Sequence, residues 1–287
     1  MNTTKKKNII LVPVDFSEAS GIAVECAVEL AKVFGSEIIM LNIFENVPVD
    51  EASRKQLQSQ FIYRDILKTL EKDAERITQS QKVKTGFLIK EGTIFDHIGK
   101  AAEEVGANLM VMGTHGIKGV QHITGSYAAR VIHNTPVPVI VVQKKSNYQP
   151  IKNITVYLDL TKDSEALENW ASHYSKVFKA NVHLVVSEEM REMVKMNTEH
   201  SLIKMEKIFK EHNINYTVKS FSSERGEFIK NLLQHAAETR SDLIMIEQKL
   251  DIDKYIIGKD EQDIMFNSHQ IPVFIVNPST NPSVTWA

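Results

Sequence analysis

Short apolar runs alternate along this chain with longer segments in which apolar residues recur every three or four positions. In the first half, the short runs predict strands and the longer segments predict helices. Runs such as Ile38–Leu41 are apolar without alternation, as expected for strands that helices cover on both faces. The predicted strands are 8–14, 36–44, 83–90, 108–113 and 138–143, and the predicted helices are about 18–34, 50–79, 93–105 and 125–134. This alternation indicates an α/β fold with a doubly wound parallel sheet.

The second half of the chain repeats the first. Three sequence blocks of the first half return in the same order in the second half. The block pairs are Asn8–Ser17 with Lys152–Thr161, Lys90–Gly113 with Glu224–Glu247, and Thr135–Val142 with His269–Val276. The repeat predicts two homologous domains in tandem, residues 1–146 and 151–278. The polar segment Ser146–Pro150 is the predicted linker, and residues 279–287 are predicted to form an irregular tail.

Composition narrows the class of protein. The chain has 287 residues, 43% of them hydrophobic and 24% charged, with a net charge of −2. Neither half has the basic excess of a nucleic-acid-binding surface. No stretch approaches the roughly 20 apolar residues that cross a bilayer, and the first strand follows Lys5–Lys7 without an apolar leader. We therefore expect a cytoplasmic protein that binds neither nucleic acid nor membrane, with its single cysteine, Cys26, buried.

A glycine-rich segment follows the fourth predicted strand. It runs from Val111 to Gly119, and Gly125 and Ser126 come next at the start of a predicted helix. Glycine lets backbone N–H groups approach a phosphate, and a helix N-terminus adds unpaired donors and a positive dipole end. Ser126 is a candidate cap for this helix. The segment predicts an anion-binding loop, although a glycine-rich turn that only joins two elements fits the same pattern.

The first strand ends in an acidic and a hydroxyl residue, Asp15 and Ser17. Together with the glycine segment and the run Pro136–Val142, the block Ile9–Ser17 resembles the universal stress protein family. Nucleotide-binding members of that family carry Gly-x-x-Gly, nine residues, and then Gly-Ser or Gly-Thr. Here Gly113 and Gly116 form the first pair, and residues 117–124 separate Gly116 from Gly125, so the loop is one residue shorter than the family pattern.

The resemblance implies a sheet order of 3-2-1-4-5 in each domain, which makes the first and fourth strands neighbours. Asp15 and Gly113 would then face one crevice at the carboxyl ends of the strands, where open α/β sheets bind ligands. By the same resemblance the ligand is ATP, ADP or AMP, with Mg²⁺ if it is the triphosphate. The residues assigned to this site are Pro13, Val14, Asp15, Ile43, Met112, Gly113, Thr114, His115, Gly116, Gly119, Gly125, Ser126 and Tyr127.

The family pattern also assigns roles within the site. Pro13 and Asp15 would lie near adenine with Ile43 as an apolar wall, Met112 and Gly113 would flank the ribose and first phosphate, and Gly116, Gly125 and Ser126 would hold the phosphates. The alternative role for Asp15 is that of a helix N-cap, for which Ser17 competes.

The second domain lacks this chemistry. Glu247 and Lys249 stand where the first domain has glycine and histidine, and Gly258 is followed by charged residues in place of Ser126. A carboxylate and bulky side chains oppose phosphate binding. The second domain is therefore predicted to be degenerate.

Together with these observations, the family resemblance implies a stress-response protein with one adenine-nucleotide site, a sensing or regulatory module and not a dedicated enzyme. A Rossmann fingerprint after the first strand and a P-loop are both absent from the sequence, and no histidine cluster predicts a metal site. Two alternatives stay open. One is a scaffold that acts through protein contacts, and the other is a weak ATP hydrolase of related topology, with Thr114, His115 and Ser126 as candidate groups.

By the same family resemblance, domains pair through their fifth strands, and here the fifth strands, 138–143 and 272–277, are predicted to lie at sheet edges. Uncovered edge strands invite pairing, and a short linker raises their effective concentration for each other. The two domains are therefore predicted to pair within one chain across these strands, and a homodimer would use other surfaces.

Overall fold

A computed structural model of the chain describes residues 8–44, 52–114, 125–143, 150–158, 165–188, 200–222, 227–248 and 259–276. The first half contains β1 (Ile9–Pro13), α1 (Glu18–Phe34), β2 (Glu37–Phe44), α2 (Ala52–Gln81), β3 (Thr85–Glu91), α3 (Ile94–Val105), β4 (Leu109–Thr114), α4 (Gly125–His133) and β5 (Val139–Gln143). The second half contains β6 (Asn153–Tyr157), α5 (Glu165–Phe178), β7 (Asn181–Ser187), α6 (His200–Glu211), β8 (Tyr216–Phe221), α7 (Glu227–Glu238), β9 (Leu243–Glu247), α8 (Lys259–Met265) and β10 (Val273–Val276).

The strands form a sheet in the order β3-β2-β1-β4-β5-β10-β9-β6-β7-β8. Each half contributes five parallel strands in the order 3-2-1-4-5, which confirms the predicted fold class. The strands and helices of the first half lie within about two residues of their predicted bounds. Strand β1 is central to its half and pairs with both β2 and β4.

Local sequence explains where α1 begins and ends. Ser17 is the N-cap, and its side chain accepts a hydrogen bond of 3.2 Å from the backbone N–H of Ser20. Gly35 follows the last turn with a φ of 63°, a left-handed conformation that glycine adopts without steric cost. Between these residues the helix buries Ala23, Cys26 and Leu30 against the sheet. The expected burial of Cys26 is confirmed.

Helices cover both faces of the sheet. One face carries α1 and α2 in the first half and α5 and α6 in the second, and their apolar side chains join one continuous core. The opposite face carries α3, α4, α7 and α8 over a second core. This layering explains why β4, β5 and β10 are buried along their whole length and β1 is buried at its three middle residues.

The two halves meet at strands β5 and β10, which pair in the antiparallel direction. Phe274 stands opposite Ile140 in this register. Its ring also lies 5.4 Å from that of Trp170 and 5.2 Å from that of Tyr174 in α5. Beside this junction, Phe34 of α1 stacks on His173 of α5 with ring centroids 5.7 Å apart. That the halves hold together in solution through these contacts stays a prediction.

Within the residues described above, no helix has the length and apolar character that a membrane span requires.

Candidate functional site

A cleft opens at the carboxyl ends of β1 and β4. These strands are hydrogen-bonded neighbours, with Ile10 opposite Leu109 and Leu11 opposite Met110. The strand order therefore brings Asp15, the second residue after β1, close to the end of β4. The residues that line the cleft are Pro13, Val14, Asp15, Ser20, Leu41, Ile43, Ile94, Met112 and Gly113. Six of them were predicted from the sequence.

Asp15 is held by a tight turn ahead of α1. Its Oδ1 accepts a hydrogen bond of 3.0 Å from the backbone N–H of Ser17. Ser17 itself caps the helix, so the alternative role of Asp15 as the N-cap is wrong. Partial burial opposes ionisation of the Asp15 carboxyl, but hydrogen bonds from Ser17 and Ser20 outweigh it and lower the pKa of Asp15. Asp15 thus places a fixed negative charge, able to accept a hydrogen bond from a ligand, at an exposed edge of the cleft.

Val14 extends the pairing of β1 with β2 beyond the last strand residue. Its N–H donates to the carbonyl of Leu41 at 2.8 Å, and its carbonyl accepts from Nδ2 of the buried Asn42 at 2.7 Å. Both backbone groups of Val14 are therefore used within the protein. Val14 can contribute a wall to the cleft, but its backbone offers a ligand no free N–H.

Gly113 lies against the first turn of α1. A Cβ added at this position would collide with the backbone carbonyl of Ala19 and would lie 2.9 Å from the backbone nitrogen of Ser20. Glycine is thus required here by the close approach of a helix, whatever the ligand. The predicted role of Gly113 beside a phosphate is not tested by this contact, but the contact gives the glycine a separate structural function.

The remaining predicted residues fall into two groups. Thr114 does not line the cleft, since it is fully buried and its Oγ1 lies 3.5 Å from the carbonyl oxygen of Val142. Its hydroxyl therefore faces strand β5, and the predicted role of Thr114 at the site stays a prediction. His115, Gly116 and Gly119 lie outside the described residues.

The helix that follows the glycine segment begins at Gly125. Ser126 and Tyr127 therefore lie in the first turn of α4, and Ser126 does not precede the helix as a cap would. An α-helix of this length presents unpaired N–H groups and a positive dipole end at its start. The described first turn of α4 contains no acidic residue to compete with an anion.

Sequence reasoning missed three lining residues, Ser20, Leu41 and Ile94. Ser20 lies in the first turn of α1, and its Oγ donates to the carbonyl of Ser17 at 3.0 Å. Ile94 opens α3, directly after a turn in which Gly92 has a φ of 133°. A signal for Ile94 existed, because the repeated block that starts at Lys90 includes this turn. The pattern showed that the turn recurs and did not show which way its side chains point.

The described part of the cleft is narrow, with a volume of about 60 Å³. Sites for drug-sized ligands usually measure about 300 Å³ or more. A nucleotide would therefore fill this part of the cleft with one edge only, or would displace the side chains of Ile94 and Met112. The exposed carboxylate of Asp15 is accessible without such a movement.

The corresponding position in the second half differs in chemistry. Glu247 ends β9 opposite Val276 of β10 and is half-buried. The next residue, Gln248, is buried, and its N–H donates to the carbonyl of Val276 at 2.8 Å. A carboxylate thus occupies the place that glycine holds in the first half. Over the described ranges, no group of three or more His, Cys, Asp or Glu side chains is arranged to hold a metal ion.

Comparison with known proteins gives concordant results. Residues 7–143 match the model of the universal stress protein family. A universal stress protein of Methanocaldococcus jannaschii is 32% identical over 139 residues, which are 47% of this chain and 81% of that relative. A universal stress protein of Synechocystis is 32% identical over 135 residues, 46% of this chain and 83% of that relative.

A crystal structure of a universal stress protein from Archaeoglobus fulgidus extends the likeness to both halves. It has a TM-score of 0.75 and 20% sequence identity, and the match covers 95% of this chain and 99% of that one. At this identity the match shows the fold alone.

Proposed function

We propose that this chain, which belongs to the universal stress protein family, binds an adenine nucleotide in its first half and acts as a sensing or regulatory module. The observation that carries the proposal is the placement of Asp15 beside Met112 and Gly113 at the carboxyl ends of two neighbouring strands. Ligands of open α/β sheets bind at this edge. Cytoplasmic location belongs to the same proposal.

The charges of the site suggest the orientation of the nucleotide. The ionised carboxylate of Asp15 repels phosphate and accepts hydrogen bonds, so it suits the exocyclic amino group of adenine. The start of α4, which has no acidic residue in its first turn, suits the phosphates. In this arrangement the base lies toward β1 and the phosphates lie toward α4. Mg²⁺ would accompany a triphosphate through its phosphate oxygens and ordered water.

We propose that the second half does not bind nucleotide. Glu247 repels a phosphate at the position of Gly113, and the bulk of Glu247 and Gln248 blocks access to the backbone. Its proposed role is to pair with the first half through β5 and β10. The domains 1–146 and 151–278 would then act as one unit with a single ligand site.

Calorimetric titration of the full chain with ATP, ADP and AMP tests this function. We expect about one site per chain for the preferred nucleotide. In the variant Gly116→Val, a branched side chain stands where the proposed loop must approach phosphate, so binding should be lost while the fold is retained. Two equivalent sites per chain would overturn the single-site proposal. The absence of binding by all three nucleotides would instead favour a scaffold that acts through protein contacts.

A further inference from the structure

A second cleft adjoins the proposed nucleotide site at Val14 and Ser20, which line both, and extends from there over the face of the sheet that carries α1 and α2. It runs between α1 and α2 above strands β1 and β2, and its volume is about 750 Å³. This volume falls within the range of about 300–1,000 Å³ that is usual for small-molecule sites. Both helices pack on the sheet, but they make few contacts with each other. The cleft is the space that this separation leaves.

The floor of the cleft is apolar and its two ends differ. Val28, Met40, Leu70 and Ile77 form the floor. One end is closed by a hydrogen bond of 2.8 Å between Nζ of Lys32 and Oε1 of Gln81, which joins the two helices. The other end lies beside Phe16, which is 48% exposed. The described residues thus form a trough with an apolar floor.

Gly21 lies on the side of α1 that lines this cleft. It is an interior helical residue, where glycine lowers helix stability relative to alanine. Its φ is not in the left-handed region, and a Cβ added there would meet no atom within 4 Å. Among the residues that the structure describes, neither backbone conformation nor packing explains this glycine. A ligand that approaches the helix backbone closely would explain it.

The walls of the cleft carry more negative than positive charge. Glu25, Glu29 and Asp73 line it together with one cation, Arg76. Nζ of Lys32 lies 2.7 Å from Glu29, and Arg76 lies 3.1 Å from Asp73. Glu25 is exposed one turn from Gly21 and forms no ion pair with any residue that the structure describes. An apolar floor below an unpaired carboxylate favours a ligand with an apolar body and a positive charge.

We propose that the cleft between α1 and α2 is a second binding site, distinct from the nucleotide site, for an amphiphilic amine. The apolar body of the amine lies on the floor against Met40 and Leu70 and passes Gly21 at close range. Its ammonium group faces Glu25, away from Lys32 at the closed end. The proposal does not depend on nucleotide binding, because the residues that carry it do not line the nucleotide cleft; these are Gly21, Glu25, Met40 and Leu70.

Titration of the full chain with octylammonium, followed through the backbone amide signal of Gly21 by NMR, tests this site. Octanoate, which has the same chain length and the opposite charge, is the matched ligand control. We expect octylammonium to shift the Gly21 signal in a saturable way and octanoate to bind at least about fivefold more weakly. Glu25→Gln should weaken octylammonium binding about two- to fivefold, the range of an exposed ion pair. Glu103→Gln, a change of an exposed carboxylate in α3 on the other face, should have no effect.

A steric variant completes the test. Gly21→Leu should fill the cleft and abolish binding while the far-ultraviolet circular dichroism stays that of the parent. Gly21→Ala should raise Tm and weaken binding, because it improves the helix and narrows the cleft. Equal affinity for octanoate and octylammonium would overturn the assignment to an amine. A shift of signals around Gly113 with no change at Gly21, or unaltered binding in Gly21→Leu, would overturn the location.

Discussion

The backbone of Gly113, at the end of β4, lies so close to the carbonyl of Ala19 in the first turn of α1 that no Cβ can be accommodated between them. This contact sets the position of the α1 N-terminus over the sheet. It thereby places Ser17 and Ser20, whose hydrogen bonds hold the Asp15 carboxyl in its ionised form. The motif assigns Gly113 to a phosphate. Through its backbone contact with α1, Gly113 also positions Asp15 at the other end of the site.

The first prediction concerns this contact. Gly113→Ala forces a methyl group against the backbone of α1, and overpacking of this kind costs about 1–3 kcal/mol. The midpoint of urea denaturation should therefore fall. Gly21→Ala is the matched control, since the same substitution in open space within a helix should stabilise the protein by about 0.4–1 kcal/mol. Equal denaturation midpoints for Gly113→Ala and the parent would show that the helix can move away without cost.

The second prediction concerns the charge of Asp15. Asp15→Asn keeps an oxygen that can accept from the N–H of Ser17, so the turn should be retained. The substitution removes the negative charge, and hydrogen bonds to charged groups contribute about 1.5–3 kcal/mol. We expect the affinity for the preferred adenine nucleotide to fall by about tenfold or more in calorimetric titration. Asp65→Asn, a change at an exposed position of α2, is the control and should bind as the parent does.

The orientation of the nucleotide gives this prediction a further readout. If the carboxylate faces the base and not the phosphates, the loss in affinity should be similar for ATP and AMP, which share adenine and differ in phosphate charge. A gain in ATP affinity in Asp15→Asn would mean instead that the carboxylate repels the phosphates at close range, and the proposed orientation would be wrong.

Strand positions could be predicted from the sequence because they follow from the repeating apolar pattern. The sheet order could be predicted because the family resemblance implied it. The approach of Asp15 to Met112 and Gly113 followed from that order, since neighbouring parallel strands end at the same edge. The contact between Gly113 and Ala19 could not be predicted. A glycine in a sequence shows that something approaches closely, but it does not show whether that is a ligand or another backbone.

The cleft beside Gly21 escaped prediction for a different reason. Apolar periodicity shows which face of a helix packs on the sheet, and both α1 and α2 satisfy it. The distance between two helices that pack on the same sheet depends on how the side chains between the helices pack. Periodicity does not report this packing. The apolar pattern therefore gives no indication that Gly21 and Glu25 line a cleft.

The third prediction concerns pH. Burial lowers the pKa of His173, His183 and His235 below their ordinary value of 6.5. A positive charge on Lys176 lowers the pKa of His173 further. The unfolded chain then binds more protons than the folded chain just below pH 6.5, so stability rises with pH in this window. We expect the free energy of unfolding to fall as the pH is lowered from about 7 toward the folded-state pKa values of these histidines. Below those values the histidines should cause no further change.

His173→Phe isolates one of the three contributions. Phenylalanine can keep the stacking on Phe34 while it removes the titrating ring and its buried, unpaired Nε2. Urea denaturation between pH 5 and 7.5 should show a smaller pH dependence in this variant than in the parent. His212→Gln changes an exposed histidine of the same half and serves as the control. If the two variants showed the same pH dependence, burial of His173 would not be linked to stability.

The last prediction is that the two halves stay together without a covalent connection. A protease site placed between Ser146 and Pro150 allows the chain to be cut after folding. The pairing of Ile140 with Phe274, and the contacts of Phe274 with Trp170 and Tyr174, should hold the fragments together. The cut protein should therefore elute in gel filtration with the parent of 32.5 kDa.

Replacing both Ile140 and Phe274 with aspartate buries two unpaired charges in the junction. The cut variant should therefore separate into two fragments, and small-angle scattering of the uncut variant should show a more extended shape. Phe274→Ala, which removes the aromatic contacts without adding charge, should weaken the association of the two fragments. It is the control for the possibility that the aspartate variant separates only because it is unfolded. Separate elution of the fragments from the cut parent would show that the linker, and not the junction of β5 and β10, keeps the halves together.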